Sequence, residues 1–374
     1  MRNIYIISDN IISPIGLTTD ENFVQLTKGV SGIKRYHNPA MAEKSFFASL
    51  FDGANSFIAK SAHTKFEQLL IASVTNAIDN ADIKINDAKT VLIISSTKGN
   101  ISLLETENNN PGLQKRISIP ASAKIVAEHF GFVNQPIVIS NACISGLMAI
   151  ITGMRLIQSG QYEHAVITGA DVISKFVLSG FQAFQAISPV PCKPFDINRN
   201  GISLGEGAAT MILSANKKNG QEIKITGGSV SNDANHISAP SQTGEELSHA
   251  MVKAMEDAHV LPAAIDFISA HGTATMYNDE MEAKAITLAN LQTAPVNSLK
   301  GYYGHTLGAA GLIESVVSIQ SLKRNLLIPT LGFEKTGTTI PVNICTDLME
   351  GDYKNCLKTA SGFGGCNAAV VFSK

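Results

Sequence analysis

Four short stretches of this chain hold residues whose types and spacing could do chemistry. The first is Ile137-Val138-Ile139-Ser140-Asn141-Ala142-Cys143-Ile144-Ser145-Gly146, an apolar strand that passes through small residues into an apolar helix. A cysteine just ahead of a helix N-terminus meets free N–H groups and the positive end of the helix dipole, which favour the thiolate and hence a nucleophile. The pattern is that of the strand–elbow–helix turn that displays serine nucleophiles. Its bland reading is a buried structural cysteine. The second stretch, Phe267-Ile268-Ser269-Ala270-His271-Gly272-Thr273-Ala274-Thr275, with Asn278 and Asp279 after it, puts His271 at the carboxyl end of a strand. That is where α/β folds bind ligands. No second ligand stands at helical spacing and no HExxH pattern is present, so no metal is expected there. The bland reading is a hydrogen-bonded structural histidine.

The third stretch, from Val296 to Gly311, surrounds Lys300 and His305 with four glycines and then enters a small-residue helix. Its order departs from GxxxxGK[ST], which removes a P-loop. The Ala and Gly face of the helix predicts close packing against another segment, while Lys300 alone reads as a solvated lysine. In the fourth, Ser361-Gly362-Phe363-Gly364-Gly365-Cys366-Asn367, the glycines allow unusual backbone angles and close approach of N–H groups to a ligand, or simply a tight turn. The loop from Pro194 to Gly201, leading to Gly205-Glu206-Gly207, reads as structural. One nucleophile, two histidines, a lysine and a donor-rich loop form a set suited to acyl transfer. His37, His63, His129, His164, His236, His249 and His259 have no comparable setting and read as surface or packing residues.

Short apolar runs must position these groups. Strands are predicted at Ile4–Ile7, Val91–Ile94, Ile137–Ile139, Ala165–Thr168, Ala208–Leu213, Ile223–Val230, Phe267–Ala270 and Ala368–Phe372. Helical patterns lie at Glu67–Asn80, Ser122–Phe130, Gly146–Ile157, Glu245–Ala258, Glu280–Asn290 and Leu307–Leu322. Continuous apolar strands alternating with helices imply an α/β protein whose sheets are covered on both faces. The best seam is the polar bridge Asn216-Lys217-Lys218-Asn219-Gly220. It divides the chain into residues 1–219, which carry the cysteine nucleophile, and residues 220–374, which carry both candidate histidines.

Composition narrows the function classes. Charged residues make up 16% of the 374, against about 25% in an average soluble domain, which excludes a disordered chain or coiled coil. A net charge of −2 without a basic run argues against nucleic acid. The five cysteines form no CxxC pair, so zinc ribbons drop out and a reducing cytoplasm is expected. The N-terminal apolar run is too short for a signal peptide. The uncharged stretch from Phe132 to Met154 reads as a buried strand entering a buried helix, with no membrane span.

Taken in order, Asn141-Ala142-Cys143-Ile144-Ser145-Gly146, Lys193-Pro194-Phe195-Asp196 through Gly205-Glu206-Gly207, His271-Gly272-Thr273-Ala274-Thr275, Lys300 through Gly311, and Gly362-Phe363-Gly364-Gly365 resemble the elongating β-ketoacyl–acyl carrier protein synthases of the thiolase superfamily. Ile12-Ser13-Pro14-Ile15-Gly16 is similar to the family's opening, and the resemblance covers essentially the whole chain. It implies a thiolase-like α/β fold of two pseudo-duplicated halves in five αβαβα layers, usually a homodimer. It implies a decarboxylative condensation: Cys143 accepts an acyl chain, and the N–H groups of Cys143 and Phe363 form the oxyanion hole. His271 and His305 then stabilise the enolate left when a malonyl thioester loses CO₂. Lys300 would support the histidines through Glu314, and Asp279 is a further support. Thr273 and Thr275 would bind the phosphopantetheine arm, Phe363 would gate the site and Phe181 would line the acyl pocket. No metal or cofactor is implied beyond the phosphopantetheine delivered on acyl carrier protein, the expected partner. An acidic carrier needs a basic patch, with Lys60, Lys65 and Lys193 as candidates.

The chain departs from the family twice. The stretch from Thr97 to Ile119, with its polar Glu105–Asn110 core, is short where the family shapes its acyl pocket and dimer surface. Cys366 stands where a threonine is common. Two other readings stay open: a chain-length-factor subunit, which lacks the nucleophile and pairs with a related synthase, and a degradative thiolase, whose second cysteine acts as base.

Overall fold

A computed structural model describes residues 2–51, 61–217, 223–234 and 239–374. Lys60, His236 and the part of the expected seam from Lys218 to Gly220 lie outside the described residues. Numbering only the elements that recur, the first half runs β1 (Ile4–Ile12), α1 (Lys65–Asp79), β2 (Thr90–Ser95), α2 (Ile119–Phe130), β3 (Ile137–Ile139), α3 (Ser145–Gln158), β4 (His164–Asp171) and β5 (Gly207–Ser214). The second runs β6 (Lys224–Asn232), α4 (Glu245–Ala258), β7 (Phe267–Ser269), α5 (Met276–Leu288), β8 (Val296–Asn297), α6 (Ala310–Arg324), β9 (Asn355–Gly362) and β10 (Cys366–Ser373).

The two halves share one topology. In the first, β3, β2 and β4 are parallel and β5 and β1 follow antiparallel. In the second, β8, β7 and β9 are parallel and β10 and β6 follow antiparallel. Pairing of Ile4 with Ile225 and Tyr5 with Lys224 joins β1 to β6, so the strands form one ten-stranded sheet. Helices α1 and α2 cover one outer face over Phe66, Leu70, Val74, Leu92 and Val126. On the other, α4 and α5 close over Leu247, Met251, Met281, Ile286 and Val371. Between the two halves of the sheet lie α3 and α6, with Leu147, Ile150, Met154, Leu312, Val316 and Ile319 in the central core. Each such side chain contributes about 1.5–3 kcal/mol on burial. The result is the five-layered αβαβα arrangement of the thiolase-like fold. From Ala310 to Leu322 every residue of α6 is buried, which explains an apolar pattern without a polar face.

The short segment after β2 is pinned by one buried carboxylate. Glu67, capping-box partner of Thr64 at the start of α1, is fully buried and accepts from Arg116 Nη2 at 2.6 Å, Ser122 Oγ at 2.9 Å and Asn100 Nδ2 at 3.0 Å. Burial pushes its pKa up, but Arg116 and hydrogen bonds from Thr64, Ser122 and Asn100 prevail and hold it at about 2. Because the folded value lies below the unfolded one, this stabilisation is present above about pH 4.5 and is lost as pH falls toward 2. Arg116→Met is expected to cost about 1–3 kcal/mol at pH 7, a buried-pair loss discounted for the partly exposed guanidinium. In urea melts the deficit should shrink toward pH 3, as Glu67 of the variant takes up a proton. A deficit independent of pH would assign the loss to packing alone. Further along the segment, Glu105 accepts from the backbone N–H groups of Lys175 and Phe176, capping the helix Lys175–Ala183 that carries Phe181.

Candidate active site

The shared topology brings the candidate residues together. Each half has an elbow ahead of its third helix, and the two third helices meet glycine to glycine. A Cβ on Gly146 would lie 2.6 Å from the Leu312 nitrogen, and one on Gly311 would lie 2.9 Å from the Leu147 nitrogen. Cys143 precedes α3 and His305 precedes α6, so helix contact sets sulfur against imidazole. At the cysteine elbow Ala142 adopts φ +44°, a left-handed strain of about 1–3 kcal/mol for a residue with a Cβ. Ser145 Oγ secures that turn, accepting from Asn141 N at 2.8 Å and donating to Ala142 O at 2.6 Å.

His271 springs from the end of β7. Glu282 of α5, fully buried, takes the backbone N–H of His271 at 2.8 Å and of Gly272 at 2.6 Å. His305 is fixed by its N–H to Ser203 O at 2.7 Å and by Gly205 N–H to its carbonyl at 3.0 Å. The two rings stand edge to face, centroids 5.1 Å apart. Leu307 N–H donates to His305 Nδ1 at 3.2 Å, so the ring proton sits on Nε2. Cys143 Sγ and one nitrogen of each ring lie within 4.8 Å of one another, all on buried residues. That spacing would suit a metal ion. However, the free nitrogen of His305 carries a hydrogen, so in this tautomer it donates and does not ligate.

Burial, with the Lys300 ammonium next in weight, holds both imidazoles well below the usual histidine range, and His305 and Lys358 add to the effect at His271. Both rings are neutral. Cys143 departs from the expectation of a resting thiolate. Burial first, then Cys366, push its thiol up to about 12 against the opposing pull of Lys300. Dipole stabilisation at the helix N-terminus does not overcome desolvation, so a base must remove the proton during reaction.

Lys300 is 1% exposed, not solvated. Its Nζ donates to His271 O at 2.9 Å and pairs with Glu314, as the resemblance implied, while the other Glu314 oxygen stands 2.7 Å from Lys358 Nζ as an ion pair. Asp279 supports a different element. Its carboxylate accepts from Phe195 N at 2.7 Å, holding the Lys193–Asp196 loop, and burial raises its pKa to about 7. Three charged residues escaped the sequence reading: Glu282, Lys358 and Asp171. Asp171 binds Ser96 Oγ at 2.7 Å, Lys98 N at 3.2 Å and Gly308 N at 2.7 Å, stapling the loop after β2 to the turn after His305. Its signal was an acidic residue ending an apolar strand.

A cavity of about 360 Å³ opens over Cys143, His271 and His305, and Thr273, Thr275, Phe181 and Phe363 all line it. Thr275 also caps α5 through Asn278 N at 3.3 Å, and its hydroxyl meets that of Thr273 at 2.9 Å. Phe363, 39% exposed, packs on Phe181 at 5.9 Å and Phe184 at 5.4 Å at the cavity mouth. Behind it a Cβ on Gly365 would sit 1.9 Å from Asp233 O, so only glycine allows this loop beside the elbow. Cys366 Sγ bridges the two, 3.4 Å from Phe363 O and 3.8 Å from Asn141 O. The basic patch fares differently. Lys65 is engaged at 2.6 Å with buried Glu206, and Lys193 at 2.8 Å with Glu334. Reversing Lys65 to Glu would therefore break a structural pair as well as change surface charge.

A thiol and two neutral imidazoles, buried where two like halves meet, define a condensing enzyme of the thiolase-like class. Residues 1–219 match the description "Beta-ketoacyl synthase, N-terminal domain" and residues 223–334 match "Beta-ketoacyl synthase, C-terminal domain". The chain belongs to the β-ketoacyl synthase family. It is 29% identical over 409 aligned positions to "3-oxoacyl-[acyl-carrier-protein] synthase 2" of Vibrio harveyi, covering 100% of this chain and 99% of that one. Another protein of that name, from Mycobacterium leprae, is 30% identical over 70% of this chain and 65% of its own. Among solved structures, "Ketosynthase (ApeO) in Complex with its Chain Length Factor (ApeC) from Xenorhabdus doucetiae" shares the fold with a TM-score of 0.90, 24% identity and coverage of 100% and 98%. A β-ketoacyl synthase from Burkholderia phymatum STM815 does so at 0.89, 24% identity and 100% coverage of both chains.

Proposed function

We propose that this β-ketoacyl synthase extends an acyl chain held on Cys143 by two carbons taken from malonyl–acyl carrier protein. The observation that carries the reading is the buried triad, with sulfur and ring nitrogens within 4.8 Å and all three residues lining a cavity of about 360 Å³. In the loading step His271 takes the Cys143 proton, since the cavity nitrogen of His305 already bears one. The sulfur attacks the acyl thioester, the pantetheine thiol leaves with the proton, and the N–H groups of Cys143 and Phe363 hold the oxyanion. Next, once the His271 ring proton has exchanged through water from Nδ1 to the cavity nitrogen, malonyl thioester binds with its carbonyl oxygen on the two imidazole N–H donors. The bond to the carboxylate breaks, CO₂ departs, and the electron pair enters an enolate stabilised where charge develops. Its carbon attacks the Cys143 thioester. A carbon–carbon bond forms, the carbon–sulfur bond breaks, and the released thiolate takes up one proton from water.

Thr273 and Thr275 are suited to the phosphopantetheine arm, and the reaction needs no further cofactor. Cys366, with its thiol raised to about 11 by burial and its sulfur beside two carbonyls, is a poor base, which weighs against the degradative thiolase. A chain-length factor would have no use for the assembled triad. The protein acts on carrier-bound chains as a dimer, and the like-folded ketosynthase solved with its chain length factor makes a related subunit the alternative to a second copy. Five free buried cysteines suit a reducing cytoplasm, and no helix among the described residues is long and apolar enough to cross a membrane.

Intact-protein mass spectrometry with acyl carrier protein bearing chains of several lengths, followed by malonyl carrier protein, tests the reading. One acyl group is expected on Cys143, discharged by malonyl addition as a β-ketoacyl product. If no chain loads, alone or with candidate partner subunits, the catalytic assignment fails.

A further inference from the structure

Lys358 lies outside the residues matched by the family descriptions and takes no part in the steps above. It sits in the middle of β9, between β7 and β10, with no exposure to solvent. An ammonium so placed is costly unless it is paired and its hydrogens engaged. Its Nζ donates to Thr359 O at 2.7 Å, Ser269 O at 3.1 Å and Ala270 O at 3.2 Å, and stands 2.7 Å from a Glu314 oxygen. Lys300 Nζ holds the next carbonyl, that of His271, at 2.9 Å and pairs with the same carboxylate. Two buried ammoniums thus share Glu314 and grip three consecutive carbonyls, those of Ser269, Ala270 and His271. Within this cluster one carboxylate stands between two lysines, and Glu282 is the next anion, beyond Lys358.

We propose that Lys358 is a positioning residue for His271, clamping with Lys300 the strand end that carries it and, as a second buried cation, keeping the ring uncharged and able to accept the Cys143 proton. The inference rests on the reading of His271 as that acceptor. The charged and titratable groups around the ring agree with it. Lys300 and Lys358 lie behind it with Glu314 between them, His305 stands at its edge, and Cys143 faces it across the cavity. Glu282 on α5 spends its oxygens on backbone N–H groups, Asn278 and Thr359. Removing Lys358 leaves Lys300 and Glu314 as a balanced pair, so the fold keeps no orphaned carboxylate.

The test is the pH profile of Cys143 acylation, read by mass spectrometry, for the native protein, Lys358→Met and Lys358→Gln. The cation lowers the affinity of His271 for a proton, so its loss must move the acid limb upward. Both variants are expected to show an acid limb displaced to higher pH than the native protein's, with the rates converging at high pH. A uniform loss at all pH values, or a native profile restored by Gln, would reduce Lys358 to a structural anchor. Histidine-labelled NMR of the native protein, with the His271 signal assigned by its loss in His271→Asn, keeps the proposal open to refutation even if a variant fails to fold. A ring titrating in the ordinary histidine range overturns the proposal. Should the native protein load no acyl chain, the functional reading falls, while the His271 titration still tests the electrostatic role.

Discussion

Cys143→Ala is expected to abolish chain extension, by about 10⁴-fold or more, while leaving the loss of CO₂ from malonyl carrier protein largely in place. The two reactions part because they use different atoms. Extension needs a covalent thioester, and no other described thiol lines the cavity with a neutral imidazole beside it. Decarboxylation needs two N–H donors on a developing enolate, and the alanine variant keeps both rings. His271 is held by Glu282 and Lys300, and His305 by Ser203, Gly205 and Leu307, none of which depends on sulfur. The check is parallel: CO₂ release by the purified variant, and mass spectrometry for acyl loading. Loss of both reactions together would mean that the cysteine takes part in decarboxylation, and the division of labour drawn here would be wrong.

Glu314→Leu is expected to cost about 3–5 kcal/mol of stability, the range for leaving a buried charge uncompensated, with two ammoniums stranded in this case. Lys300 is 1% exposed and Lys358 not at all, and among the described residues the carboxylate between them is the one anion that pairs with either. Urea unfolding measures the loss. A companion with all three groups replaced, Glu314→Leu with Lys300→Met and Lys358→Met, should regain most of it, because apolar groups of similar volume need no counter-charge. It should nevertheless remain catalytically poor, with His271 no longer anchored. If the single variant is as stable as the native protein, water must reach the lysines and the triad is not dry.

Much of this was legible in the residues. All eight expected strands and six expected helices occur, most within a few residues, because each is an apolar run bounded by turn formers. The candidate site was legible for the same reason that it works: glycines and small residues around Cys143, His271, Lys300 and His305 mark close approach of backbone. The failures have one cause. Strand β9, Asn355-Cys356-Leu357-Lys358-Thr359-Ala360-Ser361-Gly362, was not expected, since a lysine at its centre reads as solvent-facing. Glu282 and Asp171 look in sequence like any surface carboxylate, and Lys65 like any surface cation. Burial and pairing are made by segments distant in the chain, and no local pattern carries them. The resting thiol at Cys143 was missed in the same way, because the helix dipole is local but the desolvation that outweighs it is not.

The glycine contact between α3 and α6 has a consequence for how the chain comes into being. Cys143 leaves the ribosome long before His271 and His305, and until the second half has formed and docked there is a sulfur with no base beside it. A fragment ending anywhere before the second half is inert for the same reason, as is an intermediate whose halves are folded but apart. Reactivity therefore appears only with the finished tertiary structure, and recovered turnover during refolding reports the docking of the halves and not the formation of either one.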